Sequence, residues 1–200
     1  MKILIVDDHE IVIFGVKRYI QESYPDYVVH TAKNLTEMKS ELREEHDLVI
    51  LDVGYEDIDV FETIESIHNL WPDTKILIYT MHEEAGILRR LVEASVDAIV
   101  LKSSSMDIFL KTLQAIASGE EPEMNDKVKD LVKKSLKLPH LTATERNVLN
   151  LIRSGLSSCE MASRLNVSEN TIEIHRRHLL SKLNARNVAD LVVKATRAGW

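Results

Sequence analysis

The chain has 200 residues, 44% of them apolar and 28% charged, and carries a net charge of −7 at pH 7. That is apolar material enough for one or two packed domains. The single cysteine, Cys159, excludes an intrachain disulfide. No apolar run approaches a membrane span and the first residues lack a signal-peptide pattern, so a cytoplasmic protein with no membrane partner is expected.

The charge is unevenly spread. Residues 141–200 hold nine Lys/Arg against five Asp/Glu, a balance of +4, and residues 1–140 hold 16 against 27, a balance of −11. An acidic part joined to a basic part points to two domains with different partners. The basic part is the candidate for a nucleic-acid partner.

Five short apolar runs open the chain, at 3–6, 27–29, 48–51, 76–79 and 98–101. The segments between them have helical spacing. Val12, Val16, Tyr19 and Ile20 share a face, as do Leu35, Met38 and Leu42, then Phe61, Ile64 and Ile67, then Ile87, Leu88, Leu91 and Val92, then Phe109, Leu113 and Ile116. Asn34 precedes Glu37, and Asp59 precedes Glu62, by the spacing of a helix cap. Five strand–helix units imply a parallel sheet covered on both faces, with ligands bound beyond the carboxyl ends of the strands.

At those ends stand Asp7 and Asp8, then Asp52, then Thr80, then Lys102. Adjacent carboxylates repel each other and require positive charge. A hard divalent cation such as Mg2+ suits them, and Lys102 adds a second compensating charge. A carboxylate beside a metal can attack a phosphoryl group, whose oxygens Lys102 and the Thr80 hydroxyl would then meet. Any one Asp at a strand end is more often a turn former. It is the joint pattern, with each residue at its own strand end, that points to a site.

Helical signals stop at Gly119. "GEEPE" and then "LPH" around Pro139 bound an amphipathic helix expected over 125–136, with Val128, Leu131, Val132 and Leu136 on one face and lysines around it.

Four short helices follow. Thr142 with Glu145 marks one over 143–154, which Gly155 ends, and Ser157 with Glu160 marks one ending near Leu165. After a three-residue turn, Ser168 caps a third over 169–183, and a fourth starts at Val188. The middle two have the shape of a helix-turn-helix. In the second of them Ile172, Leu179 and Leu183 point to the core, whereas Asn170, Glu173, Ile174 and Arg177 face outward, towards base edges in a major groove. Ser168, Thr171, His175, Arg176, Lys182 and Arg186 are the candidates for phosphates. The competing view is a solvated helix with ordinary charges. Glu173 costs affinity for a polyanion but can accept from the amino group of cytosine. The face shared by Val188, Leu191, Val192, Ala195 and Ala198 is either a dimer seam or part of a small core.

Two resemblances span nearly the whole chain. Residues 1–118 resemble the receiver domain of bacterial response regulators through Asp7, Asp8, Asp52, Thr80 and Lys102. The resemblance implies a flavodoxin-like, doubly wound sheet of five parallel strands and a histidine kinase as partner. It implies Asp52 as phosphoacceptor, Mg2+ held by Asp7, Asp8, Asp52 and the Gly54 carbonyl, and Thr80 and Lys102 as sensors of the phosphoryl group. The chain departs from the family with Glu56 where a Pro is usual, Val60 where Gly is usual, and Ile99 where an aromatic switch residue is usual. An aliphatic Ile99 cannot swing with the same shape, so a leaky switch is expected.

"LTATERNVLNLIRSGLSSCEMASRLNVSENTIEIHRRHLLSKLNARN" resembles the LuxR-type helix-turn-helix of NarL/FixJ regulators. Leu141, Thr142, Glu145, Gly155, Glu160, Ala162, Leu165, Ser168, Thr171, His175, Lys182 and Leu183 fall in register. It implies a small all-α domain and a homodimer on a DNA operator. The expected organisation is a receiver at 1–118, a linker at 119–140 and a DNA-binding domain at 141–200. The function expected is a response regulator in which phosphorylation at Asp52 gates sequence-specific DNA binding; the alternative is a regulator whose receiver acts without phosphate. A Mg2+-dependent phosphotransfer enzyme is disfavoured, because no general acid is visible and the helix-turn-helix would be unexplained.

Overall fold

A computed structural model describes residues 1–54, 59–136 and 138–200. Glu56 lies outside the described residues. The chain divides into two compact units, Met1–Glu83 with Leu88–Asp130, and Glu84–Ile87 with Leu131–Trp200.

The first unit is a parallel sheet of β1 (Lys2–Val6), β2 (Val28–Ala32), β3 (Leu48–Leu51), β4 (Lys75–Thr80) and β5 (Ala98–Leu101), in the order β2-β1-β3-β4-β5. The helices α1 (Glu10–Ser23), α2 (Leu35–Glu41), α3 (Val60–Leu70), α4 (Ala85–Glu93) and α5 (Met106–Ala117) connect and follow the strands. This is the flavodoxin-like, doubly wound arrangement. β1 and β3 lie inside the sheet, and their Ile, Leu and Val side chains are buried without alternation, as a strand covered on both faces requires. β2 is longer than the apolar run suggested. It is an edge strand paired only with β1, so it tolerates the half-buried His30 and Thr31 that hide it from a hydrophobic pattern.

The strand order turns between β1 and β3. The chain leaves β1 for β2 on one side and crosses to β3 on the other, which opens a crevice beyond the strand tips. Helix starts are capped where the sequence pattern predicts. Asn34 Oδ1 accepts from the Glu37 amide, and Asp59 Oδ1 accepts from Phe61 and Glu62. Each cap stabilises its helix by about 1 kcal/mol.

Helix α6 (Asp126–Ser135) forms within the stretch expected to be helical, and its Val128 is fully buried. In its first turn, Lys127 bonds Glu83 and Ser103, which follow β4 and β5.

The second unit holds α7 (Ala143–Arg153), α8 (Ser158–Leu165), α9 (Glu169–Lys182) and α10 (Val188–Ala198). Full capping boxes start α7 at Thr142 and α8 at Ser157. Asn166 ends α8 in the left-handed region at φ 53°, a conformation that Asn tolerates. The core gathers Leu141, Val148, Leu149, Met161, Ile172, Leu179, Leu191 and Ala195. Val188, Val192 and Ala198 pack against it. Of the two readings of the last helix, core completion is the one seen. No helix among the described residues is long and apolar enough to cross a membrane.

Candidate functional site

The sheet register brings the strand-end residues together. The Asp52 amide donates to the Val6 carbonyl at 3.0 Å, the Asp7 amide to Ala32 at 3.2 Å, and the Lys102 amide to Thr80 at 2.7 Å. The tips of β1, β3, β4 and β5 thereby share one edge. The Lys102 ammonium sits 2.7 Å from Asp7 Oδ2 and 2.8 Å from Asp52 Oδ2, with side-chain exposures of 7%, 3% and 5%. Burial pushes the Lys102 pKa down, but the hydrogen bonds to Asp52 and Asp7 and their charges outweigh it, so the net shift is upward. One cation thus serves two buried carboxylates and leaves a net negative charge.

Asp8 stands at the rim, its Oδ1 2.6 Å from His9 Nδ1. The His9 amide donates to Asp7 Oδ1 at 2.9 Å. Asp7, Asp8, His9 and Asp52 each offer a ligand atom, and these atoms lie within 4.8 Å of one another. His9 was not singled out in the sequence, where its adjacency to Asp8 was the only signal. A carboxylate-rich set of this kind suits a hard divalent cation. The other Asp52 oxygen, Oδ1, accepts from the Val53 amide at 2.7 Å. A side chain at Gly54 would start 3.5 Å from Asp52 Oδ2 and from His82 Nε2, in ordinary contact, so Gly54 lies beside the carboxylate. The fully buried Thr80 has its hydroxyl oxygen accepting from the His82 amide at 3.1 Å. Ile99 is buried on β5 beside Ile78.

In the second unit α9 presents a polar face. Asn170 and Arg177 are exposed, and Arg177 makes no hydrogen bond or ion pair with the described residues. Ile174 is half-buried, not exposed as the helical wheel suggested; α9 packs against both α7 and α8, so more than one of its faces is covered. Glu173 accepts from the Ser158 hydroxyl at 2.6 Å, and Arg176 donates to the same hydroxyl at 2.6 Å and to Glu173 at 3.1 Å. This trio ties α8 to α9. The Ser158 bond holds the Glu173 carboxyl below its usual range despite slight burial, and the charges of Arg176 and Arg177 assist.

Lys182 donates to the Glu145 carboxylate at 2.7 Å and to the His140 carbonyl at 3.1 Å. Ser168 caps α9 through the Thr171 amide, and the two hydroxyls bond each other. Arg186 is largely exposed and reaches Asp190 at 3.4 Å. His175 is half-buried, and its Nδ1 is buried with no partner among the described residues. Ser168, Thr171, Lys182 and Arg186 are thus engaged locally, with hydroxyl or cationic groups still at the surface.

Residues 3–114 match the family described as response regulator receiver domain, and residues 139–195 match the bacterial regulatory proteins of the luxR family. The chain belongs to the response regulators that join a receiver domain to a LuxR-type DNA-binding domain, the NarL/FixJ group. It is 30% identical over 192 residues to a nitrate/nitrite response regulator protein homolog of Haemophilus influenzae, covering 94% of this chain and 92% of that one. It is 31% identical over 200 residues to the response regulator protein VraR of Staphylococcus aureus, covering 98% and 96%. Among solved structures it is similar to RcsB of Salmonella enterica serovar Typhimurium bound to a promoter in the presence of the phosphomimetic BeF3−. That likeness has a TM-score of 0.68 at 26% identity and covers 98% of each chain. A structure of two RcsB dimers on two parallel DNAs is similar at a TM-score of 0.67 and 26% identity, again covering 98% of each chain.

Proposed function

We propose that a histidine kinase phosphorylates Asp52 and that this modification gates sequence-specific DNA binding by the LuxR-type domain. The observation that carries the reading is the buried Lys102 ammonium shared between Asp7 and Asp52. The receiver corresponds to residues 1–118, the linker to 119–140 and the DNA-binding domain to 141–200. Asp7, Asp8, Asp52 and the Gly54 carbonyl are the residues that would hold Mg2+. When bound, Mg2+ supplies charge neutralisation for the phosphoryl oxygens.

This chain's own residues do the rest. An Asp52 carboxylate oxygen attacks the phosphorus of a phosphohistidine; the P–N bond breaks, and the imidazole leaves with its electron pair and takes a proton. Lys102, already at Asp52, meets one phosphoryl oxygen, and the Thr80 hydroxyl hydrogen-bonds another. Moving these two groups shifts the loops after β4 and β5, which biases a two-state element. The output is a homodimer that places two copies of α9 one DNA turn apart on an operator. In this reading Asn170, Glu173, Ile174 and Arg177 face base edges. Ser168, Thr171, His175, Arg176, Lys182 and Arg186 face phosphates, with Glu173 and Arg176 held in position by Ser158. The protein works in the cytoplasm and acts as a regulator, not an enzyme.

Intact-mass analysis after incubation with acetyl phosphate and Mg2+ tests the chemistry. The wild type gains one phosphoryl group and Asp52→Asn gains none. A wild type that stays unmodified sinks the proposal. One observation favours a second reading, a receiver that acts without phosphate: Ile99 is aliphatic and fully packed in β5, so the usual aromatic switch is missing. That reading predicts operator binding that is indifferent to the phosphodonor.

A further inference from the structure

A second cluster of ligating side chains lies apart from the acidic pocket, at the β2 edge of the sheet. His30 comes from β2, Glu41 from the end of α2, and His46 from the loop before β3. His46 Nε2 is 3.3 Å from His30 Nδ1, which is 2.8 Å from Glu41 Oε2. One ligand atom from each residue falls within 4.8 Å of the others.

We propose that His30, Glu41 and His46 form a binding site for a borderline-soft divalent cation of the Zn2+ type. Three observations carry this. First, His46 is almost fully buried and its Nδ1 donates to the Glu44 carbonyl at 3.0 Å. That bond fixes the tautomer with the proton on Nδ1, so the Nε2 lone pair points at His30. A ring N–H held by a backbone carbonyl is the usual support of a metal-ligating histidine. Second, hydrogen bonding alone leaves the trio short of protons. The single proton that His30 Nδ1 can carry faces two acceptors, Glu41 Oε2 and His46 Nε2, and serves one of them well. A cation replaces that proton and satisfies all three lone pairs.

Third, the spacing fits. Tetrahedral Zn2+ with bonds of about 2.0–2.1 Å has donor–donor edges of about 3.3 Å, and the two nitrogens are 3.3 Å apart. A shift of the Glu41 carboxylate, whose side chain is 35% exposed, brings the third donor to the same edge. Two imidazoles and one carboxylate leave a fourth position open to water. The set selects against Mg2+, which takes oxygen donors in octahedral geometry.

Burial, chiefly, and the nearby Lys2 charge push the His46 pKa down. Lys2 is the nearby charge that opposes a cation at His46. Lys2 is paired with Glu44 at 2.7 Å, and the Thr74 hydroxyl bonds the His46 carbonyl, away from the ring. The site is independent of the phosphoacceptor chemistry.

The test uses the full chain, stripped with chelator and dialysed at pH 7.5 against Zn2+ with Mg2+ in large excess to occupy the acidic pocket. Bound zinc is then counted. The wild type is expected to hold one Zn2+ per chain. His30→Ala and Glu41→Gln, both at half-exposed positions where folding is spared, should bind more than about tenfold more weakly, with circular dichroism unchanged. Asp8→Asn should bind as the wild type does. No zinc on the wild type, equal binding by His30→Ala, or loss of binding in Asp8→Asn would each overturn the assignment.

Discussion

Lys102 is the residue on which the acidic pocket balances. Its ammonium lies within hydrogen-bond reach of two buried carboxylates, of which Asp7 also accepts from the His9 amide and Asp52 from the Val53 amide. Removing it leaves two buried negative charges side by side. Lys102→Ala should therefore lower stability by about 3–5 kcal/mol, read from urea unfolding in the absence of Mg2+, and Asp52→Asn in the same background should restore part of the loss. A Lys102→Ala protein as stable as the wild type would mean that the pair is not desolvated. Lys182 is a different case. The sequence makes it a candidate for a phosphate contact, and it bonds the buried Glu145. Burial raises the Glu145 carboxyl, but the bonds to Lys182 and Thr142 more than offset this and hold it below its usual value. A carboxyl depressed in the folded state stabilises fully above its unfolded pKa, and that share is lost as pH falls through the folded value. Lys182→Ala should thus lower stability at pH 7 by about 1–2 kcal/mol, discounted for the half-exposed lysine, with the difference from wild type shrinking below about pH 4.5. A gap that does not narrow in acid contradicts the pairing.

At the scale of elements, α10 and α9 carry the most information. The apolar face of α10 is spent on the core: Leu191 and Ala195 are fully buried. Leu191→Ala should cost about 2–5 kcal/mol in thermal unfolding and leave dimerisation per folded protein unchanged. Loss of dimerisation without loss of stability would return this helix to the role of a seam. On α9, Arg177 is exposed whereas Arg176 is bound to Ser158 and Glu173. Arg177→Ala should weaken a specific operator more than random DNA, by about 1–3 kcal/mol of discrimination; equal loss on both would move Arg177 to the phosphates. The strands and caps were legible in the sequence because their signals are local: a run of β-branched residues, or a Ser three positions before a Glu. The strand-end carboxylates, Thr80 and Lys102 were legible for the same reason, once a parallel sheet was inferred. The partners of Lys182, the half-burial of Ile174 and the His30–Glu41–His46 cluster were not. They depend on how helices and loops cross in space, which periodicity does not encode. The true length of β2 was hidden because an edge strand need not be apolar.

For the whole molecule the central facts are a sheet whose switch point holds three carboxylates and a lysine, and a helical unit whose α9 presents a polar face. The excess of nine Lys/Arg over five Asp/Glu in residues 141–200 suits a polyanion, while residues 1–140 are acidic. In the proposed function, phosphorylation of Asp52 would add about −1.5 to −2 charges to a pocket whose negative charge already exceeds that of Lys102. A charge of that size would be the proposed driving force for reorganising Thr80 and Lys102. Because Ile99 replaces the aromatic and is packed in β5, some dimer and some operator binding are expected before any phosphate arrives. The most direct test combines sedimentation with operator titration, on wild type and Asp52→Asn, each with and without phosphodonor and Mg2+. The account predicts that phosphodonor raises both dimer mass and operator affinity in the wild type, from a baseline that is not zero, and changes neither in Asp52→Asn. A wild type that takes up phosphate yet shows the same mass and affinity as before would contradict it.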